Sequence, residues 1–185
     1  MGKAPDRRIA KSEEAIQTTF LKMLMADGFD SITVKDLAEG ANISRKTFYL
    51  HYVDKYDLLN GIVDEMLRQL AELCEKKKDK GFVEGTVLWF AYFEEHKPFF
   101  TALFATESTT TFRRRLLDFI MEQLNNKLEG VSDQKNTEVL RKFMATAVVG
   151  VVESYVLDQF QAGIGEISRQ VGELLEQIIT MAQSK

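Results

Sequence analysis

Hydrogen-bond donors are concentrated between residues 45 and 55, in a pattern that suits contact with DNA. Arg45, Lys46 and Thr47 are consecutive. An arginine or lysine can donate to guanine O6 and N7 in the major groove, and a threonine methyl group can contact a thymine methyl group. Further donors follow within about two helical turns, at Tyr49, His51, Tyr52 and Lys55. Donors at a groove edge suit phosphate oxygens. The first three residues are therefore predicted to read bases, and the others to hold the DNA backbone.

Two short helices separated by a turn are predicted to position these side chains. Thr33, with Asp36 three residues later, forms a capping box that opens the first helix. Ser44 is the predicted N-cap of the second helix, which begins at Arg45 and ends near residue 51, and its free N–H groups would face phosphate. Asn42 lies where the chain must reverse, and asparagine tolerates left-handed backbone angles better than most residues.

A small apolar core is predicted to hold the two helices together, formed by Val34, Leu37, Ala38, Ile43 and Phe48. A short helix with two basic residues is, on its own, usually a solvated surface. Here the capping box, the turn, the apolar wedge and the basic helix follow in the order and spacing of a helix-turn-helix, which we place at residues 31–55. Tyr52 also fits the core, so its role as a DNA contact or a packing residue stays open.

Helical periodicity dominates the rest of the chain, and no segment shows the alternation of a strand. The first eleven residues are predicted to form a loose arm, with Ser12 as the N-cap of a helix that ends at Gly28. Asp54 and Asp57 are predicted to open a long fourth helix, and later helices are expected at about 83–95, 98–105, 110–129, 133–161 and 166–182. The expected fold is all-α with about nine helices: a three-helix helix-turn-helix domain at residues 1–55, linked by the long helix to a helical domain at residues 56–185.

Composition and charge exclude several classes of protein. The 185 residues are 45% hydrophobic and 28% charged, ordinary proportions for a folded protein. The net charge of −4 argues against a general nucleic-acid coat protein. Residues 1–55 carry nine Lys or Arg and eight Asp or Glu, a balance of +1, while the remainder carries fifteen and twenty, a balance of −5. This distribution is expected if only the N-terminal end meets phosphate.

Neither a metal site nor an enzyme active site is predicted. The single Cys74 rules out an internal disulfide framework, and His51 and His96 are too few to complete a zinc site. No nucleophile–base pairing, phosphate loop or dinucleotide fingerprint occurs, so we expect no cofactor and no catalysis. The N-terminus has no signal-peptide core, and the apolar run at residues 143–152 is far shorter than the roughly 20 residues of a membrane span. We therefore expect a cytoplasmic protein that does not contact the membrane.

The residues around the turn, in combination, resemble the DNA-binding domain of the TetR family of bacterial transcriptional regulators over about residues 10–60. With Ser12–Leu24 as the first helix, the matching positions are Gly28, Thr33, Val34, Ile43, Ser44, Thr47, Phe48, Tyr49, His51, Lys55, Leu58 and Leu59. The resemblance implies phosphate contacts by Thr33, Tyr49, His51 and Lys55. Asn42 and Tyr52 replace the usual Gly and Phe. Lys46 replaces a Gly or Ala that is frequent in the family, so base preference cannot be carried over from relatives.

Aromatic side chains are dense between residues 82 and 104, and they have two interpretations. Aromatic residues at helical spacing usually fill a core. The resemblance implies instead that this region encloses a cavity for a small effector. A cavity lined by rings with few polar groups would suit a lipophilic molecule. The candidate lining residues are Trp89, Phe93, Phe100, Phe104 and Met121.

Two apolar helices near the C-terminus are predicted to form a dimer interface. Residues 143–152 are apolar on nearly every helical face, and a helix of that kind needs neighbours on both sides. A second helix carries an apolar stripe between Ile167 and Ile178. Two such helices from each of two chains would form a four-helix interface, as the resemblance also implies; packing within one chain is the alternative. The candidate interface residues are Val148, Val152, Tyr155, Val171, Leu175 and Ile178.

These features predict a TetR-type regulator, a homodimeric repressor that binds a palindromic operator in double-stranded DNA and is released by a small lipophilic effector. Two-fold symmetry would double the base contacts of one short recognition helix. The effector would act through the long fourth helix by binding two states with different affinity. The alternative is a regulator or activator whose C-terminal domain binds a partner protein, with the basic cluster at residues 113–115 as a candidate contact.

Overall fold

The computed structural model describes residues 4–76, 80–105, 110–125 and 134–184, and within these ranges it is helical, with no strand. The described helices are α1 (Ala4–Asp27), a short 3-10 helix (Phe29–Ser31), α2 (Val34–Gly40), α3 (Arg45–His51), α4 (Lys55–Glu75), α5 (Phe82–Glu95), α6 (Lys97–Phe104), α7 (Thr110–Asn125), α8 (Gln134–Val156) and α9 (Ile164–Gln183). The prediction of an all-α fold with about nine helices is confirmed.

The chain divides into two compact units, residues 1–66 and residues 67–185. α1, α2 and α3 lie wholly in the first unit, and α5 to α9 lie in the second. α4 belongs to both, so the change from one unit to the other falls inside a continuous helix. The domain boundary predicted from the sequence, after residue 55, lies at the beginning of that helix.

The first helix is longer than predicted. α1 begins at Ala4, so the predictions of an arm over residues 4–11 and of Ser12 as an N-cap are wrong; residues 1–3 of that arm lie outside the described residues. The stretch before Ser12 contains residues that favour helices, and nothing in it ends one. The Ser12 hydroxyl lies within reach of the carbonyl oxygens of Arg8 (3.1 Å) and Ile9 (2.9 Å). A serine inside a helix can satisfy its hydroxyl in this way.

The core of the first unit joins α1 to the helix-turn-helix. Its fully buried side chains include Ile16, Phe20, Leu24, Phe29, Leu37, Phe48 and Leu58. Phe29 packs edge-on against Phe20 and Tyr56, with ring centroids 6.3 and 5.0 Å apart. Gly40 of α2 approaches α1 so closely that a Cβ at residue 40 would lie 2.7 Å from Thr19 Cγ2. α1 therefore packs against both α2 and α3.

The turn between α2 and α3 depends on Asn42, as predicted. Asn42 has a φ of 53°, in the left-handed region. Its N–H donates to Glu39 O (3.1 Å), and the N–H of Ile43 donates to Ala38 O (2.9 Å). This pair of bonds is a Schellman motif, which satisfies the last carbonyl groups of a helix when the following residue is left-handed. Ile43 is half-buried at the turn.

Two aspartates open α4 as predicted. Asp54 Oδ1 accepts hydrogen bonds from the N–H groups of Tyr56 and Asp57, both at 2.8 Å. Asp57 Oδ2 in turn accepts from the N–H of Val53 at 2.9 Å. The two carboxylates thus satisfy N–H groups that a helix start leaves without partners. This reciprocal cap follows directly after the end of α3, and it sets where the long helix begins.

In the second unit, α9 packs closely against α5 at Gly172. A Cβ added to Gly172 of α9 would lie 2.9 Å from the Cα of Val83 and 3.2 Å from Thr86 Cβ. Ser168, one turn earlier, is fully buried. Its hydroxyl donates to the carbonyl oxygen of Gly165 at 3.3 Å. The backbone of α9 can therefore approach α5 without a side chain between them.

α8 ends at Val156, earlier than predicted. Asp158 has a φ of 56°, its N–H donates to Tyr155 O (3.1 Å), and the N–H of Gln159 donates to Ser154 O (2.9 Å). An aspartate therefore ends this helix with the geometry that usually requires glycine. The continuation of the predicted helix to residue 161 is wrong for this reason. The predicted helical residues 126–129 and residue 133 lie outside the described residues.

Candidate nucleic-acid interface and effector cavity

The start of α3 is capped by Ser44, as the sequence predicts. Ser44 has extended backbone angles, and its Oγ accepts a hydrogen bond from the N–H of Thr47 at 3.0 Å. Thr47 Oγ1 lies 2.9 Å from Ser44 Oγ, and Thr47 is half-buried. The Thr47 hydroxyl is thus part of the cap. Thr33 has the corresponding role in α2: its Oγ1 accepts from the N–H of Asp36 at 3.2 Å and donates to Asp36 Oδ2 at 2.6 Å.

The outward side of α3 carries charge. Arg45 and Lys46 are exposed, and Tyr49 is 57% exposed. Phe48, on the opposite side, is fully buried in the core. Its ring packs edge-on against Tyr49, with centroids 5.6 Å apart. α3 is therefore anchored by one ring and presents a basic surface on the other side.

His51 links the end of α3 to α1. Its Nε2 lies 2.7 Å from Ser12 Oγ. Ser12 Oγ also lies within hydrogen-bond distance of the carbonyl oxygens of Arg8 and Ile9, and the tautomer of the imidazole decides which atom donates between Ser12 and His51. The histidine thereby fixes α3 on α1, a contact between residues 39 positions apart in the chain.

Tyr52 also contacts α1, which favours the packing role that the sequence left open. Its hydroxyl accepts from Gln17 Nε2 at 3.0 Å and donates to Glu13 Oε1 at 3.4 Å. Its ring packs on Phe48, with centroids 5.9 Å apart. Burial raises the pKa of the Tyr52 hydroxyl, the Gln17 hydrogen bond opposes this shift, and the Glu13 carboxylate adds to it.

Lys55 is held by the 3-10 helix. Its Nζ donates to the carbonyl oxygens of Phe29 (3.0 Å) and Asp30 (3.2 Å), and lies 4.6 Å from the centroid of the Phe29 ring. A lysine close to the carbonyl end of a helix and over an aromatic ring is held in a fixed position. This contact could not be predicted from residue spacing, because Phe29 and Lys55 are 26 positions apart.

Two exposed apolar residues near the end of α3 were not predicted as site residues. Leu50 and Val53 are both 77% exposed. The helical spacing of residues 45–51 contains a signal that could have found Leu50, because it places residue 50 one turn after residue 46 on the same side. Leu50 has no side-chain hydrogen-bond donor, which is the property that singled out the other residues of α3.

The second unit contains a cavity of about 440 Å³. Its walls come from the end of α4, from α5 and α7, and from single residues of α8 and α9; the lining residues are Leu73, Cys74, Glu75, Lys80, Gly81, Phe82, Gly85, Thr86, Trp89, Phe90, Phe119, Ile120, Gln123, Leu124, Val148 and Leu175. Most of these are apolar. Two of the polar side chains have partners nearby: Lys80 Nζ donates to Glu84 Oε1 (3.0 Å), and Thr86 Oγ1 donates to Phe82 O (3.0 Å).

Of the predicted cavity residues, the structure places only Trp89 in the lining. Phe93, Phe100 and Phe104 are buried in an aromatic cluster instead. The ring centroids of Phe93 and Phe100 lie 4.5 Å apart, and those of Phe104 and Phe112 lie 5.2 Å apart. Met121 is half-buried and does not line the cavity. The predicted aromatic set thus divides between a packed core and one cavity wall.

Both α8 and α9 carry exposed apolar side chains, and none of these belongs to the predicted interface set. Val148, Val152, Tyr155 and Leu175 are buried within the second unit, and Val171 and Ile178 are half-buried. The large apolar side chains that remain exposed on these helices are Val139, Phe143, Leu174 and Met181. On α8, residues 139, 143 and 147 are spaced four apart, with the exposed Gly150 one turn further on. We call the four exposed side chains the α8/α9 surface.

In the basic cluster at residues 113–115, the candidate contact for a partner protein, Arg113 already binds other residues of this chain. Arg113 donates from Nε to Glu153 Oε2 (3.1 Å) and from its terminal nitrogen to Phe104 O (2.6 Å). The hydrogen bond to Glu153 is the main reason that the pKa of Arg113 is raised. Arg113 therefore joins the end of α6 to α8.

Within the described residues, no helix has the length and apolar character needed to cross a membrane.

Comparison with known proteins places both units in one family. Residues 21–62 match the family described as bacterial regulatory proteins, tetR family, and residues 81–177 match the transcriptional regulator C-terminal region. The HTH-type transcriptional regulator YxbF of Bacillus subtilis is 37% identical over 71 residues, 38% of this chain and 18% of YxbF. The dhaKLM operon transcriptional activator DhaS of Lactococcus lactis is 24% identical over 121 residues, 65% of this chain and 60% of DhaS. The chain thus spans less than two thirds of the length of these relatives.

The fold is shared with a solved structure of low sequence identity. A putative TetR-family transcriptional regulator from Syntrophomonas wolfei superposes with a TM-score of 0.76 at 15% identity, covering 92% of this chain and 96% of that one. The helix-turn-helix geometry of α2 and α3 and the two family matches agree with this fold. The chain therefore belongs to the TetR family of bacterial regulatory proteins.

Proposed function

We propose that this regulator is a homodimeric repressor that binds a palindromic operator with α3 in the major groove. One observation carries the proposal: α3 has Arg45 and Lys46 exposed on one side, while Phe48 anchors the other side in the core. A recognition helix must present donors to base edges from a fixed scaffold. We assign DNA binding to residues 1–55, and dimerisation and effector binding to residues 56–185.

Four side chains are proposed to position the protein on phosphates. Thr33 and Tyr49 are exposed, and His51 is half-buried. Lys55 is fixed by the carbonyl oxygens of Phe29 and Asp30. We propose that its charge acts on the DNA backbone from that fixed position. Contacts of this kind set register and orientation and carry no direct sequence information.

Replacing Arg45 or Lys46 by Ala is expected to alter base preference at particular operator positions. A bidentate contact to guanine contributes about 1–3 kcal/mol of discrimination, so the preferred base should be relaxed there. The measurement is selection of bound duplexes from a random library, with wild-type protein and each variant. Lys22→Ala, which removes an exposed charge from α1, should leave the preference unchanged. A uniform loss of affinity with the same preference would make both residues phosphate contacts.

The α8/α9 surface is proposed as the dimer interface. A second copy would bury its exposed side chains, above all Phe143 and Leu174 at 61% and 59% exposure. Both helices would pair with their symmetry mates in a four-helix arrangement. We therefore assign the interface to Val139, Phe143, Leu174 and Met181, with Val171 and Ile178 beside them, rather than to the buried residues of α8.

The cavity of the second unit is proposed as the site for a lipophilic effector. Apolar lining with a few polar groups suits such a molecule. The last turn of α4, at Leu73 to Glu75, lines this cavity, and the first turn of the same helix follows the recognition helix. A ligand that favours one position of α4 would change operator affinity, provided that it binds the two states differently.

Effector binding is expected to change the emission of Trp89, the single tryptophan of the chain, because its ring lines the cavity. A lipophilic molecule that does so should also weaken operator binding by about 5–150-fold, the usual range of coupling between two sites. Val148→Phe should reduce both effects by filling the cavity, whereas Ala91→Phe, on the exposed side of α5, should not. A molecule that changes the emission without changing operator affinity would argue against an effector role.

An activator controlled by a partner protein is the second candidate. DhaS, which matches 65% of this chain, is described as a transcriptional activator, and this similarity supports the activator part of the candidate. Transcription of a reporter downstream of the selected operator distinguishes the two: a repressor lowers transcription and an activator raises it.

We further propose that the protein acts in the cytoplasm and catalyses no reaction.

A further inference from the structure

The exposed surface of α3 includes residues other than the basic Arg45 and Lys46. At about 100° per residue, residues 45, 49, 46 and 50 follow one another around about 140° of the helix. These four are the exposed residues of α3, whereas 47, 48 and 51, on the other side, are half-buried or buried. The surface that a DNA groove would meet therefore consists of Arg45, Tyr49, Lys46 and Leu50. Thr47, whose hydroxyl is engaged with the cap at Ser44, is not part of it.

Leu50 is the apolar member of this surface. It is 77% exposed, and it lies one turn after Lys46. An apolar side chain on a DNA-facing helix has one apolar partner in the major groove, the C5-methyl group of thymine. Covering Leu50 with that methyl group would remove apolar surface from water, which is favourable. None of the other bases presents a methyl group there.

The position of Leu50 on α3 sets where such a thymine would lie. Four residues of helix rise by about 6 Å, and base pairs are stacked about 3.4 Å apart. With α3 lying along the groove, Leu50 would reach a base about two pairs away from the one contacted by Lys46. Leu50 would thus add a base position that the donors Arg45 and Lys46 do not cover.

We propose that Leu50 is a specificity-determining residue that reads a thymine in each half-site through its 5-methyl group. The proposal rests on the proposed function, in which α3 enters the major groove. The contact with a thymine methyl group, which the sequence suggested for Thr47, is thereby assigned to Leu50 instead.

The test combines a protein change with the removal of a single methyl group from the DNA. Each thymidine of the selected operator is replaced in turn by deoxyuridine, which differs from it only by the 5-methyl group. Wild-type protein is expected to lose about three- to five-fold in affinity at one thymine per half-site, the effect of about one buried methyl group. Leu50→Ala should lose affinity on the thymidine operator and show no further loss with deoxyuridine.

Val53→Ala is the matched control, because Val53 has the same exposure as Leu50 but lies after the end of α3. It should keep the full sensitivity to deoxyuridine, and Leu50→Ala should keep the wild-type circular dichroism. The proposal is overturned if Leu50→Ala stays as sensitive to deoxyuridine as wild type, if wild type is insensitive at every thymine, or if the half-sites contain no thymine. If Arg45→Ala still alters base preference in these cases, the recognition helix stands and only the methyl contact fails.

Discussion

Raising the salt concentration from 50 to 200 mM is expected to weaken operator binding by about 10³–10⁵-fold. A dimer that neutralises about 6–10 phosphates releases the counterions that were condensed on them, and added salt opposes that release. The basic side chains available for this in the first unit include exposed residues of α1 and α3: Arg7, Arg8, Lys11, Arg45 and Lys46. The net charge of −4 for the whole chain does not oppose the prediction, because only charges near the DNA contribute strongly at these ionic strengths.

Fluorescence anisotropy of labelled operator at four or more salt concentrations measures this dependence. The logarithm of affinity should fall against the logarithm of salt with a slope of about −5 to −9. The thermal unfolding midpoint of the protein alone, over the same range, is the control and should change little. An affinity that does not depend on salt would contradict phosphate binding, and with it the proposed DNA interface.

Placing charges in the α8/α9 surface is expected to separate the dimer and to reduce operator affinity by at least about 100-fold. In Phe143→Glu combined with Leu174→Glu, each interface would bury carboxylates without partners, which is strongly unfavourable. A monomer contacts one half-site and loses the contacts of the other. Sedimentation velocity measures the mass, and anisotropy at constant salt measures the affinity.

The control for this double variant is Ala91→Glu, which places the same charge on an exposed position of α5. It should remain dimeric and bind DNA as wild type does. A double variant that still sediments as a dimer would rule out the α8/α9 surface as the interface. Val152→Glu has a different expected result, because Val152 is fully buried: it should unfold the protomer, which circular dichroism detects.

The sequence was sufficient wherever the structural cause is local. Ser44 caps α3 through a residue three positions away, and Asp54 caps α4 through residues two and three positions away. Asn42 adopts its left-handed conformation because the two N–H groups at the turn bond back over three and five residues. Contacts over such short separations depend on few residues, so residue types in order predict them.

Local patterns failed where a distant part of the chain determined the outcome. Ser12 is a residue type common at N-caps, and acidic residues follow it. In the structure it lies inside the continuous helix α1, and its hydroxyl contacts His51. Lys55 was predicted only as a phosphate contact, and its ammonium group is also held by carbonyl oxygens 25 and 26 positions earlier. Neither contact can be inferred from spacing, because each depends on how the helices pack.

The same limit applied to the back half. Its helices and its apolar residues could be predicted from the sequence, but not the direction that each apolar residue faces. Phe100 and Trp89 are both aromatic, and the sequence does not distinguish a core residue from a cavity residue. The packing of α5 to α8 buries Phe100 and leaves Trp89 in the cavity wall. Val152 and Phe143 are both apolar residues of α8, and only the tertiary structure decides that the first faces the core while the second is exposed.

The sequence by itself determined the family, the all-α fold and the basic recognition helix, since these follow from local propensity and from residues at fixed spacing. The tertiary structure decided which side of each helix is free. On α3 it turns Thr47 toward the cap and exposes Leu50 beside Lys46. The physical reason is that a helix presents its residues in all directions, and only the packing of its neighbours leaves some of them in contact with solvent.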